Sequence, residues 1–75
     1  MERPPAVTPR KLLAALERMG FVMHHVRGSH HYLKHPDDPT IRVTVALHGK
    51  TLKRGTLRSI LRQANLTAEE LREYL

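Results

Sequence analysis

Apolar residues recur at helical spacing in two stretches, and at strand spacing in one stretch between them. Leu12, Leu13, Leu16 and Met19 stand at i, i+1, i+4 and i+7, which is one apolar stripe of an amphipathic helix. Thr8-Pro9 precedes the stripe and Gly20 follows it. Threonine caps free backbone N–H groups, proline at the first helical position sacrifices no bond, and glycine accepts the left-handed turn that ends a helix. The predicted helix runs over 9–19. Phe21 to Val26 is short, apolar and β-branched, broken by His24-His25, and reads as a strand. Arg27-Gly28-Ser29 reads as a turn and His30 to His35 as a second strand, stopped by Pro36-Asp37-Asp38-Pro39. Ile41 to Leu47 alternates most clearly, with Ile41, Val43, Val45 and Leu47 on one face and Arg42, Thr44 and Ala46 on the other.

Residues 48–55 form a basic loop. Leu57, Ile60, Leu61 and Ala64 then mark a second helix from about Thr56 to Ala64, ended by Asn65. Thr67-Ala68-Glu69-Glu70 has the spacing of a capping box and starts a short terminal helix to about Tyr74. Residues 1–7 read as a flexible N-terminal arm and 8–75 as a single domain. Consecutive strands joined by short turns form an antiparallel meander. The expected fold is α+β, a two-layer sandwich in the order α-β-β-β-α with a short C-terminal helix, its helices on one sheet face and the other face open. Double-stranded-RNA-binding domains share that order of elements.

Alternation along the second strand separates its side chains. Leu33 is the one aliphatic residue, so His31, Leu33 and His35 should face the helices, leaving His30, Tyr32 and Lys34 on the open face. An imidazole, a phenol and an ammonium side by side suit phosphate chemistry. Histidine gives or takes a proton near neutral pH, whereas lysine only supplies charge. The reaction this suits is metal-independent RNA cleavage, in which a base takes the ribose 2′-hydroxyl proton, cations steady the phosphorane and an acid protonates the leaving oxygen. His30 is the first choice for the general acid/base. His31 is its competitor, because a slip of one residue exchanges their faces. Gly28 and Ser29 offer turn N–H groups to a phosphate.

Charge adds a binding surface to this picture. Thirteen Lys and Arg against seven Asp and Glu give a net charge of +6 on 75 residues, a field that attracts polyanions without reading their sequence. Lys50, Lys53, Arg54, Arg58 and Arg62 form a second basic cluster. The three arginines are spaced by four, as on a helix lying along a phosphate backbone. Only three residues, Phe21, Tyr32 and Tyr74, are Phe, Tyr or Trp, which favours contacts to backbone and shape over base stacking. Five of the six histidines lie between His24 and His35, but a metal site is not expected. His31 and His35 stand about 13 Å apart on an extended strand, and a zinc–nitrogen bond is about 2 Å. His24 or His25 pairing with His30 or His31 across the sheet is the remaining route. With no cysteine, disulfides, thiolate metal ligands and a thiol nucleophile are excluded. No apolar run approaches the roughly 18 residues of a membrane span, and the first residues lack the apolar stretch of a signal peptide, so a cytoplasmic protein without a membrane partner is expected.

Gly28-Ser29-His30, His35-Pro36-Asp37, Arg42-Val43-Thr44-Val45, His48-Gly49 and Leu52-Lys53-Arg54-Gly55-Thr56-Leu57-Arg58-Ser59-Ile60-Leu61 follow one another in that order. This combination resembles the HicA toxins over roughly residues 8–73. The resemblance implies a double-stranded-RNA-binding-domain-like fold and an mRNA interferase of a type II toxin–antitoxin system. It also implies that mRNA is cleaved without metal or small-molecule cofactor, and that a cognate HicB-type antitoxin covers the active surface. The catalytic histidine it implies falls on His30. The chain departs from the family at Ala46, where proline is usual two residues before His48; alanine permits a longer strand and puts His48 in a different setting. A non-catalytic RNA-binding module of the same fold is the alternative.

Overall fold

A computed structural model describes residues 5–75. The chain forms α1 (Pro9–Arg18), β1 (Val22–Arg27), β2 (His30–Lys34), β3 (Arg42–Ala46), α2 (Arg54–Ala64) and α3 (Ala68–Arg72). The strands make one antiparallel sheet in the order β1-β2-β3, so the expected α+β order is the observed one.

Both long helices end by the same device. Gly20 (φ +105°) and Asn65 (φ +58°) turn the chain left-handed. The N–H groups of Phe21 and Leu66 then reach back to the Leu16 and Leu61 carbonyls at 3.0 and 2.9 Å, the Schellman arrangement that satisfies orphan carbonyls. The helices differ at their starts. Thr8 accepts from the Lys11 N–H, whereas α2 begins at Arg54 with Lys53 as an N-cap that makes no side-chain bond. The expected start near Thr56 was therefore two residues late: the apolar stripe begins at Leu57, and the exposed Arg54 and Gly55 ahead of it carry no part of that stripe. The capping box of α3 is present in full, with Thr67 and Glu70 bonded reciprocally.

One core holds the two layers together. Leu12 and Leu16 from α1, Leu33, Val43 and Val45 from the sheet, Leu57 from α2 and Leu71 from α3 are all at most 1% exposed. The end of the expected arm belongs to this core. Val7 is buried, and its carbonyl accepts from the Leu52 N–H at 2.9 Å; residues 1–4 lie outside the described residues. Of the described helices, none is long and apolar enough to cross a membrane.

Register assigns the faces. Residues directly opposite in an antiparallel pair share a side. His31 stands opposite Val45 and Leu33 opposite Val43, on the helix side; His30 stands opposite Ala46, Tyr32 opposite Thr44 and Lys34 opposite Arg42, on the open side. In β1 the pairing skips His24, so Met23 opposes Leu33 while His25, Val26 and Arg27 oppose Tyr32, His31 and His30. The bulge inverts the alternation after Met23 and turns His25 and Arg27 onto the open face.

Candidate active site on the open sheet face

The β1–β2 turn sets the site. Its two loop residues are Gly28 and Ser29, with Gly28 at φ +61°. The Ser29 carbonyl accepts from the Leu47 N–H at 2.7 Å and lies 3.1 Å from His31 Nδ1. His31 is thus half-buried on the helix side and tied to the turn, while His30, one residue earlier, is exposed on the open face. The two adjacent histidines occupy the opposite settings that alternation implies.

Around His30 the sheet gathers more than the sequence analysis named. Arg27 is its direct cross-strand neighbour. The His48 ring lies edge-on to the His30 ring at 6.5 Å between centroids, and the Tyr32 ring, inclined by 26°, is also 6.5 Å away. Tyr32 stacks on His25 at 4.3 Å and 11°, and His25 meets His24 edge-on at 4.8 Å. Four imidazoles and one phenol therefore form a continuous row of rings across the open face. A count of Phe, Tyr and Trp cannot register this row, because imidazoles make up most of it. At its far end the Lys34 ammonium, followed by burial and by the His25 and Arg42 charges, holds the His24 imidazole below its ordinary pKa. The Nδ1 atoms of His24 and His25 stand 2.6 Å apart, one donating to the other.

The remaining expected residues divide between this face and others. Lys34 is on the open face, with Arg42 beside it. Lys50 and Lys53 are exposed in the loop before α2, and Arg54, Arg58 and Arg62 are exposed along that helix. A groove of about 460 Å³ separates α2 from the open sheet face. His30, Thr44 and Ala46 line it from the sheet, Leu52 from the loop, and Gly55, Thr56, Ser59, Ile60 and Gln63 from the helix. At 3.6 residues per turn the arginine stripe points about 130° away from the groove-facing residues. The three arginines and His30 thus flank α2 from different sides. Neither His24 nor His25 pairs with His30 or His31, since His25 opposes Tyr32. His35 instead packs edge-on against Phe21 at 5.3 Å and accepts from the Asp37 N–H. Among the described residues, no three His, Cys, Asp or Glu side chains converge as a metal site.

Arg27, Arg42, His24, His25 and His48 are the site-face residues that sequence reasoning missed. Arg27 was read as turn, and Arg42 was placed on the right face without being given a role. His48 entered only as part of the resemblance, its role left open by Ala46 in place of the usual proline, yet its ring stands edge-on to the His30 ring. Nothing local signals His25, whose facing depends on the bulge.

Comparison with curated protein sequences found no match. The sequence model of one protein family, described as "HicA toxin of bacterial toxin-antitoxin", matches residues 9–66. That span contains both long helices, the whole sheet and every residue that forms the ring row. The chain belongs to the HicA family of toxins of bacterial toxin–antitoxin systems.

Proposed function

We propose that this toxin is an mRNA interferase that cuts RNA without metal, with His30 and His48 as its proton-transfer pair. The observation that carries this reading is the meeting of two exposed imidazoles beside Arg27 on the open face of a HicA-family chain. One imidazole takes the proton from a ribose 2′-hydroxyl, whose oxygen attacks the adjacent phosphorus. The second gives a proton to the departing 5′-oxygen, leaving a 2′,3′-cyclic phosphate and a 5′-hydroxyl end. Arg27 stands where it stabilises the doubly charged phosphorane, and such fixed charge is worth most beside the reacting atoms. Lys34, Arg42 and the loop lysines Lys50 and Lys53 hold the flanking phosphates. The cationic open face also suits an acidic antitoxin of the HicB type, which would block substrate by covering it. Such chemistry fits a cytoplasmic protein acting on cellular mRNA.

Incubation of the purified protein with mRNA in excess EDTA tests the reading. Cleavage is expected, with cyclic phosphate ends, and a rate that rises and falls with pH. His30→Ala should lower kcat by about 10²–10⁴-fold, the usual worth of a general acid or base, and His48→Ala should remove one limb of the pH profile. Intact mRNA that remains bound to the protein would instead establish the non-catalytic RNA-binding module. Activity lost in His31→Ala but kept in His30→Ala would overturn the assignment of faces.

A further inference from the structure

The groove between α2 and the open face is unlike the surface around it. The chain carries a net charge of +6, yet apart from the His30 imidazole the groove's lining holds no ionisable side chain. Its walls offer the Thr44, Thr56 and Ser59 hydroxyls and the Gln63 carboxamide. Among the described residues none of these four side chains is engaged in a hydrogen bond within the chain. Ile60 contributes a buried apolar surface.

Uncommitted neutral donors and acceptors over an apolar surface suit a flat, uncharged, hydrogen-bonding ligand. A phosphate would be drawn to the cationic positions instead. Nucleobases are read through their edges by such side chains, glutamine among the best suited because its amide both donates and accepts. Single-stranded RNA presents those edges unpaired. With His30 as one wall, a base held in the groove lies next to the ribose and phosphate that His30 would serve. The volume, about 460 Å³, is within the range of small-ligand sites.

We infer that this groove is a nucleobase subsite, in which Ser59 and Gln63 read the base beside the scissile phosphate and so set the sequence preference of cleavage. The inference rests on the RNA-cleaving reading above, but binding tests it separately. Gly55 supplies the plug. It lies in the helix and lines the groove, and a Cβ added there meets nothing within 4 Å. The first side-chain atom at this position thus enters open space, so Gly55→Leu adds bulk at the groove wall, and replacing a helical glycine favours the fold.

The probes are short 2′-O-methyl oligonucleotides of each of the four bases, which cannot be cut by 2′-oxygen attack. The wild type should prefer one base by about tenfold or more, the worth of a good edge contact. Gly55→Leu and Gln63→Leu should erase that ratio. Lys53→Ala, one of the residues proposed to hold flanking phosphates, should weaken all four probes alike and keep it. A wild type without base preference overturns the inference. So does a Gly55→Leu protein that melts no lower than wild type and keeps the preference. Should Gly55→Leu not fold, Ser59→Ala and Gln63→Leu, at a half-buried and an exposed position, decide the matter by the same ratio. Loss of antitoxin binding with base preference intact would make the groove a protein-docking site, which also overturns it. An unchanged preference pattern with no RNA cleavage leaves the subsite standing and removes the nuclease reading; cleavage without base preference does the reverse.

Discussion

Replacing Gly28 with alanine isolates a single backbone angle at the centre of the site. Arg27 and His30 pair across a loop of two residues, and Gly28 has φ +61°. Asn65 is the one non-glycine with positive φ among the described residues, so Ser29 is on the negative side. A positive φ at the first central position alone is the type II′ pattern, which calls for glycine there. A Cβ on Gly28 finds no atom within 4 Å, so the penalty is conformational and not steric. Holding an L-residue in such a conformation costs about 1–3 kcal/mol. The stiffer unfolded chain returns about 0.4–1 kcal/mol, leaving a net loss of about 1–2 kcal/mol. For a domain of this size each kcal/mol shifts Tm by roughly 4–8 °C. Gly28→Ala should therefore lower Tm by about 4–16 °C in a thermal melt followed by circular dichroism. The decisive control is D-alanine at the same position in a chemically synthesised chain. It keeps the stiffening, meets no conformational penalty, and should raise Tm. Equal Tm values for the L- and D-alanine proteins would refute the reasoning, because only a positive φ distinguishes them. Because buried Leu33 opposite Val43 also fixes the register that separates His30 from His31, the RNA cleavage proposed above should be largely retained by Gly28→Ala well below its Tm.

Two further outcomes follow from charge and packing. The folded chain holds His24 below its ordinary pKa, chiefly through Lys34, so the unfolded chain takes up that proton first. The resulting stability is full above the ordinary imidazole range and is lost as pH falls through the depressed value. Lys34→Gln should raise the His24 midpoint in an NMR titration, and an unchanged midpoint would show that Lys34 is not the main cause. Leu33 is 1% exposed in the central strand, and Leu33→Ala should cost about 2–5 kcal/mol in urea unfolding; a loss under 1 kcal/mol would mean that the core closes over the gap.

Sequence made the elements legible wherever a local signal and the tertiary need agreed. The Thr8-Pro9 start, the Gly20 and Asn65 ends, and the Thr67–Glu70 box are all local hydrogen-bonding devices. The face of His30 was legible because one aliphatic neighbour, Leu33, could only point inward. What failed depended on distant partners. The burial of Val7 requires Leu52, which no periodicity near residue 7 announces. Arg27 gains its meaning from standing opposite His30, a matter of strand register. The arginine stripe of α2 was correctly read as one helical face, but periodicity alone cannot say where that face points relative to another element.

The bulge at His24 explains why a face of this composition exists at all. Continued without it, the pairing of Met23 with Leu33 would bring His24 opposite Tyr32, His25 opposite His31 and Val26 opposite His30. The open face would then carry a valine beside His30, and His25 would be turned toward the helices. One extra residue reverses this, setting Arg27 against His30 and His25 against Tyr32. The cost is visible in Val26, which is moved to the helix side near the sheet edge and left 52% exposed. An uncovered valine is a poor choice for packing, and a skipped residue weakens a ladder that already has an open edge. Both are tolerable in a sheet whose core side is closed by Leu33, Val43 and Val45. The chain thus keeps its stability in β2 and β3 and gives up regularity in β1, the strand that supplies the arginine for the proposed chemistry.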